Sequence, residues 1–522
     1  MTSQSPPNID NTNPPVTTTD KSETGFFDTS HLKADIKGRS VRGGIVTVGG
    51  QAVKYILQIG SAAVLARLLT PAEFGLVAMV KVFTEFVNLF KDLGLSMATI
   101  QKEEINHQQV STLFWVNIAV SCLLTLIVAA ISPLVAWFYG KPQLIPLTIA
   151  IGSTFIFGGL IAQHTALMRR QMQFRILAII EILSMTVGIV AAIISALAGL
   201  SYWSLVIMMA VRGMANVILV WWQSPWRPGG PVRNSGVRPM LAFGGNLTGS
   251  NVLGYFSRNS DNVIIGYALG PASLGIYTKA YGLLTLPLIQ FSSPLRSIMI
   301  PALSRLQDEP KEYRRFFLQV LSVVFLITLP MVTFLFVSAD EIINIILGSQ
   351  WTAAITAFRY LAPAAFLNAI SYAPGWLFIT TGRTGAHFRW ALLSTPITVI
   401  GFLIGVNWGV NGVAASFSIT YSAMFLLYIY WATRGSPVRF HDIIQTLTVP
   451  VFSSLLAALA AALTGRFLLE SNIVVRFVMC SIVFAIFYFA CVIATSTGRQ
   501  IVRSLISVIS MLRKKPMAIL TE

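Results

Sequence analysis

Long apolar segments recur along this 522-residue chain almost to its end, and they constrain its fold more than any other feature. About 20 consecutive apolar residues are enough for a helix to cross the hydrocarbon core of a bilayer. Only 11% of the residues are charged and 55% are hydrophobic, which exceeds what a soluble core requires. The pattern predicts an all-α polytopic membrane protein with about fourteen transmembrane helices. The expected spans are residues 43–67, 74–98, 110–138, 143–166, 175–198, 201–222, 242–268, 274–298, 316–338, 353–380, 388–407, 409–432, 446–468 and 472–495.

Lysines and arginines gather in the segments on one side of the predicted membrane. With the N-terminus placed in the cytoplasm, the inner segments hold most of them, and the outer segments hold only Arg67, Lys141, Arg466 and Arg476. Because cytoplasmic loops carry an excess of Lys and Arg, this asymmetry predicts that both termini are cytoplasmic. The same short loops account for much of the net charge of +17, so we expect no nucleic-acid partner.

A sequence repeat divides the chain into two halves. The outer-loop motif Leu69-Thr-Pro-Ala-Glu-Phe-Gly75 returns as Leu269-Gly-Pro-Ala-Ser-Leu-Gly275. Each half would contain six helices and have the same topology, so we expect two pseudo-symmetric six-helix bundles related by an axis along the membrane normal. The predicted units are a disordered cytoplasmic tail at 1–40, bundles at 41–223 and 240–435, a linker rich in Pro and Gly at 224–239, an extra helix pair at 436–496 and a basic cytoplasmic tail at 497–522.

Polar side chains recur at helical spacing in the first two spans of each half. Such groups are costly at bilayer depth and survive where they face a cavity or a partner. Residues three and four apart share one face of a helix, so these stripes predict polar faces around a wet central cavity. The stripes consist of Thr47, Gln51, Lys54, Gln58 and Ser61 in the first span, Lys81, Glu85, Asn88 and Asp92 in the second, Asn251, Arg258, Asp261 and Asn262 in the seventh, and Lys279 in the eighth.

An alternative interpretation is that these charges neutralise one another inside a bundle. Lys81 lies one helical turn from Glu85, and Arg258 lies one turn from Asp261, so each could form an ion pair. Glu181 and Arg212, on the fifth and sixth spans, could also pair. The sequence leaves both interpretations open.

Several motifs resemble those of the Wzx-type polysaccharide flippases. They are Gly38-Arg-Ser-Val-Arg-Gly-Gly44, Ala66-Arg-Leu-Leu-Thr-Pro-Ala-Glu-Phe-Gly75, Asp261-Asn-Val-Ile-Ile-Gly266 and Leu269-Gly-Pro-Ala-Ser-Leu-Gly-Ile-Tyr277. The likeness covers roughly residues 38–495 and points to the branch with the colanic acid and xanthan exporters. That branch lies in the MOP superfamily, which also holds the lipid II flippase MurJ and the MATE transporters. The resemblance implies two bundles in a V around a cationic cavity.

The resemblance also implies a function. Its substrate would be an oligosaccharide repeat unit linked to undecaprenyl pyrophosphate, turned from the cytoplasmic to the periplasmic leaflet of the bacterial inner membrane. The implied partners are this lipid-linked oligosaccharide, membrane lipids, and the polymerase and export machinery of the same pathway. In MurJ relatives the extra C-terminal helix pair forms a groove for the lipid tail.

A pyrophosphate that carries about two negative charges cannot cross hydrocarbon unaided, so the site must supply cations and polar groups. The acidic residues of the stripes either bind a coupling proton or sodium ion or balance the neighbouring cations. We assign Lys54, Arg258, Lys81 and Lys279 to the pyrophosphate, Gln51, Gln58, Asn88, Asn251 and Asn262 to the sugar, and Glu85, Asp92 and Asp261 to coupling.

Other classes fit the sequence less well. A MATE-like cation-coupled exporter would favour acidic cavity faces, and a MurJ-like flippase of peptidoglycan precursor is a second alternative. A glycosyltransferase would need carboxylates in a loop at the membrane face, where Glu103-Glu104 is the inner pair that could suggest one. The chain shows no metal-ligand cluster, phosphate-binding glycine loop or nucleophile motif, so we expect a transporter that is not an enzyme and that needs no cofactor or metal.

Overall fold

The computed structural model describes residues 36–91, 95–102, 105–232 and 238–503, and these residues form helices and loops without strands. Each predicted span is largely helical in the described residues. Most of both predicted tails, Asp92 and Glu103-Glu104 lie outside the described residues. The helices are α1 Ile36–Leu68, α2 Pro71–Asn88, α3 Leu95–Gln101, α4 His107–Tyr139, α5 Leu144–Ser153, α6 Phe155–Arg170, α7 Phe174–Leu197, α8 Trp203–Gln223, α9 Arg238–Arg305, α10 Pro310–Val337, α11 Ala339–Ile342, α12 Ala353–Tyr372, α13 Pro374–Thr380, α14 Thr384–Gly405, α15 Gly409–Thr433, α16 Phe440–Phe467 and α17 Ile473–Ala494.

Local capping fixes where α2 begins. The backbone N–H of Thr70 donates to Glu73 Oε2 at 2.6 Å, and the backbone N–H of Glu73 donates to Thr70 Oγ1 at 3.4 Å. This reciprocal pair satisfies two donors that the first turn of a helix leaves unpaired. Pro71 follows at the first helical position, where its fixed φ suits the helix and its missing N–H costs nothing. The first copy of the repeated motif is therefore also a helix-start signal.

The second copy of the motif makes a kink instead of a capped start. Helix α9 is broken at Gly270, where φ is 81° and ψ is −178°. This backbone conformation is open essentially to glycine alone. The predicted spans at 242–268 and 274–298 therefore lie in two helical segments of α9 that meet at Gly270.

The largest apolar core extends across both halves of the chain. Helix α2 packs along α9, and fully buried Met79, Tyr277, Phe325 and Trp351 belong to the same cluster. The C-terminal pair, α16 and α17, packs together and against α10. Tyr488 anchors that pair, because its hydroxyl donates to the carbonyl oxygen of Leu326 at 2.6 Å. Helices α1, α2, α8 and α9 surround a common space between the two halves.

Much of the outer surface is apolar. Within the described residues, nine helical segments are long and apolar enough to cross a membrane. Large side chains such as Leu126, Ile194 and Phe467 are 67%, 63% and 88% exposed. In water a surface of this kind would drive aggregation, whereas in a bilayer it lies against acyl chains. The predicted class, an all-helical multi-pass membrane protein, is confirmed.

Candidate functional site

The two copies of the repeated motif meet at one end of the molecule. A Cβ atom added to Gly75 would lie 1.7 Å from the carbonyl oxygen of Pro271. Reciprocally, a Cβ atom added to Gly275 would lie 1.9 Å from the carbonyl oxygen of Pro71. No side chain fits at such distances, so each half needs glycine where it touches the backbone of the other. We call this contact between Gly75 and Gly275 the glycine junction.

A turn from the second half covers the same end of the molecule. The indole N–H of buried Trp351 donates to the carbonyl oxygen of Ala66 at 2.7 Å. Its ring also packs edge-to-face on Phe74, with centroids 5.5 Å apart. The Arg67 guanidinium donates to the carbonyl oxygen of Ile345 at 2.8 Å. These long-range contacts hold the halves together beside the glycine junction.

A cavity of about 390 Å³ lies next to the junction, with walls from both halves. We call it the lysine cavity, because Lys81 on α2 and Lys279 on α9 both line it. Glu85 lies one turn beyond Lys81 on the same wall. The remaining polar lining residues are Gln58 on α1 and Asn259, Asn262 and Thr278 on α9.

The charges of the lysine cavity favour an anion. The Lys279 ammonium lies 3.7 Å from the centroid of the Phe74 ring. The negative face of the ring stabilises the positive charge of the ammonium. Within the described residues, neither Lys279 nor Lys81 forms an ion pair closer than 4.0 Å. Two cations and one carboxylate, Glu85, leave the lining with a net positive charge. In a medium of low dielectric constant such an excess attracts a negative ligand strongly.

Lys54 lies in a different environment. Its ammonium donates to Glu181 Oε2 at 2.8 Å, and the Lys54 side chain is 13% exposed. The suggested pair of Glu181 with Arg212 is therefore replaced by a pair of Glu181 with Lys54. Lys54 is not among the residues that line the lysine cavity. Its assignment to the pyrophosphate stays a prediction.

Arg258 and Asp261 line a second and larger cavity, of about 970 Å³, inside the second half. Helices α9, α12, α14 and α15 form its walls. Asp261 is 7% exposed, and its Oδ2 accepts a hydrogen bond from the Tyr277 hydroxyl at 2.8 Å. The four cations assigned to pyrophosphate are thus distributed over two cavities and one ion pair. The structure brings Lys81 and Lys279 together and places Arg258 elsewhere.

The amides assigned to sugar binding are also divided. Gln58 and Asn262 line the lysine cavity. Asn88 is exposed at the end of α2 and Gln51 is half-buried on α1, and neither lines the two cavities described above. The side chain of Asn251 lies outside the described ones.

Sequence reasoning missed two groups of lining residues. Asn259 lies three positions before Asn262 on α9, so the spacing used for the other stripes would have found it. The second group is the aromatic lining of the larger cavity, such as Trp390 and Tyr421. Aromatic residues in an apolar span look like core or lipid-facing positions, and no local signal distinguishes a ring that lines a cavity.

Fold and cavities together define a polytopic helical membrane protein with a polar interior site. A family model described as polysaccharide biosynthesis protein matches residues 64–356, and the chain belongs to that family. It is 24% identical over 402 residues to the lipopolysaccharide biosynthesis protein WzxC of Escherichia coli strain K12, which covers 75% of this chain and 80% of WzxC. It is 25% identical over 423 residues to the succinoglycan biosynthesis transport protein ExoT of Rhizobium meliloti strain 1021, with 79% and 83% covered.

Solved structures of two kinds have a similar fold. The lipid II flippase MurJ in an inward closed conformation superposes with a TM-score of 0.63 at 13% identity, over 85% of this chain and 98% of MurJ. A multidrug resistance MATE family transporter of the MOP superfamily, in an inward-facing conformation, gives 0.57 at 15% identity, over 77% and 99%. At these identities the likeness concerns the fold alone. The resemblance to Wzx-type proteins is confirmed, and so is the likeness of the fold to those of MurJ and a MATE transporter.

Proposed function

We propose that the protein flips oligosaccharide repeat units linked to undecaprenyl pyrophosphate from the inner to the outer leaflet of the bacterial cytoplasmic membrane, for exopolysaccharide or lipopolysaccharide assembly. One observation carries the proposal: Lys81 and Lys279, from opposite halves, line one cavity together with amide side chains. Membership of the polysaccharide biosynthesis family supports it, as do the names of WzxC and ExoT.

The cavity supplies what this substrate lacks in a bilayer. Each phosphate oxygen loses hydration as the headgroup leaves water, and ammonium groups replace that hydration with charge-assisted hydrogen bonds. Amides such as Gln58 and Asn262 offer both donors and acceptors to sugar hydroxyls. The polyprenyl chain stays in the lipid while the headgroup passes between the halves.

The alternatives explain this cavity less well. A cationic drug, which a MATE-like exporter would carry, is repelled by the net positive lining. A MurJ-like flippase of peptidoglycan precursor would use similar cations, but the likeness to MurJ concerns the fold alone. The names of the sequence relatives favour the synthesis and transport of polysaccharides.

We further propose fourteen crossings, in pseudo-symmetric bundles at 41–223 and 240–435 with an extra helix pair at 436–496 and both termini in the cytoplasm. The glycine junction would close the outer end, as in an inward-facing state. Separation at Gly75 and Gly275 would open that end while the opposite end closes, so that the halves rock around a fixed site. The pathway's polymerase and export machinery would receive the product.

Two of the three acidic residues assigned to coupling now have structural positions. Glu85 lies in the lysine cavity, where binding of a cation would change the charge presented to the substrate. Asp261 is buried in the second half beside Tyr277. We keep both, with Asp92, as candidates for a coupling ion.

The proposal is tested by replacing Lys81 and Lys279 with Ala, singly and together, in a strain that lacks its own flippase. Loss of one charge-assisted contact costs about 1.4 kcal/mol or more, so polymer export by each single variant should fall by roughly tenfold or more. The double variant should accumulate lipid-linked repeat units in the inner leaflet. Polymer and lipid-linked intermediate are measured together with the amount of protein in the membrane.

Lys311→Ala is the matched control, because Lys311 is exposed at the start of α10 and lines neither cavity. It should export polymer normally. Normal export by the double variant, at a normal amount of protein in the membrane, would remove the lysine cavity from the mechanism.

A further inference from the structure

The larger cavity of about 970 Å³, lined by Arg258 and Asp261, has a wall that is rich in aromatic rings. We call it the aromatic cavity. Its rings include Tyr281 on α9, Trp390 on α14, and Phe417 and Tyr421 on α15. It exceeds the lysine cavity of about 390 Å³ more than twofold. The proposed pyrophosphate site leaves this space without a role.

The rings pack against one another in two groups. Phe417 packs edge-to-face on Tyr281 and on Tyr421, with centroids 6.2 and 5.9 Å apart. On the facing helix, Trp390 is 8% exposed and its ring lies 5.4 Å from that of Tyr428. Edge-to-face contacts at these distances are stabilising and fix the ring planes. The wall is therefore preorganised for a ligand.

Polar groups converge on the same space. Arg258 is exposed and offers a planar set of N–H donors, and Asn368 adds an amide. Asp261 is held by the Tyr277 hydroxyl and by the backbone N–H of Asn262, each at 2.8 Å. Rings with a few fixed polar groups are typical of a ligand pocket. An acyl chain would gain nothing from Arg258 or Asp261.

The two cavities share one helical wall. Arg258 and Asp261 lie three residues apart on α9 and line the aromatic cavity. Asn259 and Asn262, each one position further along, line the lysine cavity. Consecutive residues differ by about 100° around a helix, so adjoining faces of one segment serve the two spaces. The α9 segment therefore lies at the boundary of both spaces, and a helix with its side chains is only about 10 Å across. A headgroup of several sugars is longer than that.

We propose that the aromatic cavity is a saccharide site, which holds sugar rings of the substrate while the lysine cavity holds its pyrophosphate. The inference rests on the proposed function and extends it. A sugar ring presents C–H bonds on its faces, which pack on aromatic rings, and hydroxyls around its edge, which pair with amides, carboxylates and guanidinium groups. The wall supplies both kinds of partner, whereas Phe74 is the one aromatic ring among the described residues that line the lysine cavity.

The test compares two probes that differ only in sugar. The first is bare undecaprenyl pyrophosphate, and the second is the lipid-linked intermediate extracted from a strain that lacks the protein. Binding to the purified full-length protein is measured by native mass spectrometry. We expect Tyr421→Leu to weaken binding of the sugar-bearing lipid by up to roughly tenfold and to leave the bare lipid unchanged, since the variant removes one stacking ring.

Matched variants separate the alternatives. Phe417→Leu, one turn away on the same face of α15, should reproduce the selective loss. Tyr430→Leu should change neither probe, because Tyr430 lies on the same helix, is 50% exposed and does not line the cavity. Lys81→Ala should weaken both probes. Equal effects of Tyr421→Leu and Phe417→Leu on both lipids, or no effect on either, would overturn the saccharide site alone. Failure of the unaltered protein to bind either lipid would overturn the proposed function itself.

Discussion

Lys54 shows how one neighbouring carboxylate changes what a charged side chain can do. The sequence places it near the middle of the first span, where an unpaired ammonium would be a strong anion site. In the structure its ammonium lies 2.8 Å from Glu181 Oε2, so its charge is already balanced. Lys81 and Lys279 have no such partner among the described residues and line a shared cavity. Position along the span alone does not separate these roles.

At the residue scale we predict that Lys54 acts through Glu181. Lys54→Met should reduce polymer export, because it leaves the Glu181 carboxylate without its partner. Since Glu181 is 44% exposed, the cost should be nearer that of a surface pair, about 1 kcal/mol. The variant Lys54→Met/Glu181→Met should recover polymer export. Its stability, measured by thermal unfolding in detergent, should recover as well. Persistent loss of export in the double variant would return Lys54 to the pyrophosphate site.

At the level of elements, the repeated motif determines both how two successive helices are joined and where the two halves touch. In the first half, Thr70 caps α2 and Pro71 starts it, whereas in the second half Gly270 breaks α9. In both, the glycine four positions after the proline meets the backbone of the other half. The pattern thus sets the path of each helix pair and also allows their close contact.

We predict that Gly75→Ala weakens closure at the glycine junction. Its Cβ would meet the Pro271 carbonyl oxygen at 1.7 Å, and a backbone atom cannot move aside cheaply. The readout is labelling of Gln58→Cys by a membrane-impermeant thiol reagent added outside, in a chain whose native cysteines are replaced by Ser. Labelling should rise roughly tenfold if closure loses about 1.4 kcal/mol.

Gly60→Ala is the control for this experiment, because a Cβ atom there meets nothing within 4 Å. It should leave labelling unchanged. Unchanged labelling in Gly75→Ala as well would mean that the junction does not close this path.

A structural feature could be predicted from the sequence when the residues that cause it lie close together in the chain. Helical spans and the interruption between the seventh and eighth spans follow from apolar runs and from Gly and Pro, which act within a few residues. The partner of Lys54 lies 127 positions away, and finding it requires knowing that α1 packs on α7. Likewise, the spacing placed Arg258 and Asn262 in one stripe, but Arg258 lines the aromatic cavity and Asn262 lines the lysine cavity.

At the scale of the whole molecule, the proposed cycle moves charge across the membrane. The substrate carries about two negative charges, while the lysines that bind it belong to the scaffold and move little in a rocking motion. An inside-negative potential therefore favours outward transfer by ~2.3 kcal/mol per charge per 100 mV. A cation transported in the same direction through Glu85, Asp92 or Asp261 would cancel part of this driving force.

We predict that the membrane potential alone shifts the substrate between leaflets. Protein is reconstituted in vesicles with equal pH and sodium on both sides, and a potassium gradient with valinomycin sets the potential. At 100 mV, two charges correspond to about 4–5 kcal/mol, so the lipid-linked intermediate should collect almost entirely in the leaflet on the positive side. The double variant Lys81→Ala/Lys279→Ala should show no redistribution, because it lacks the cations that admit the headgroup. If the distribution does not depend on the potential but follows an imposed proton or sodium gradient, an accompanying cation neutralises the transported charge. The variants Glu85→Gln and Asp261→Asn would then identify the carboxylate that binds this cation.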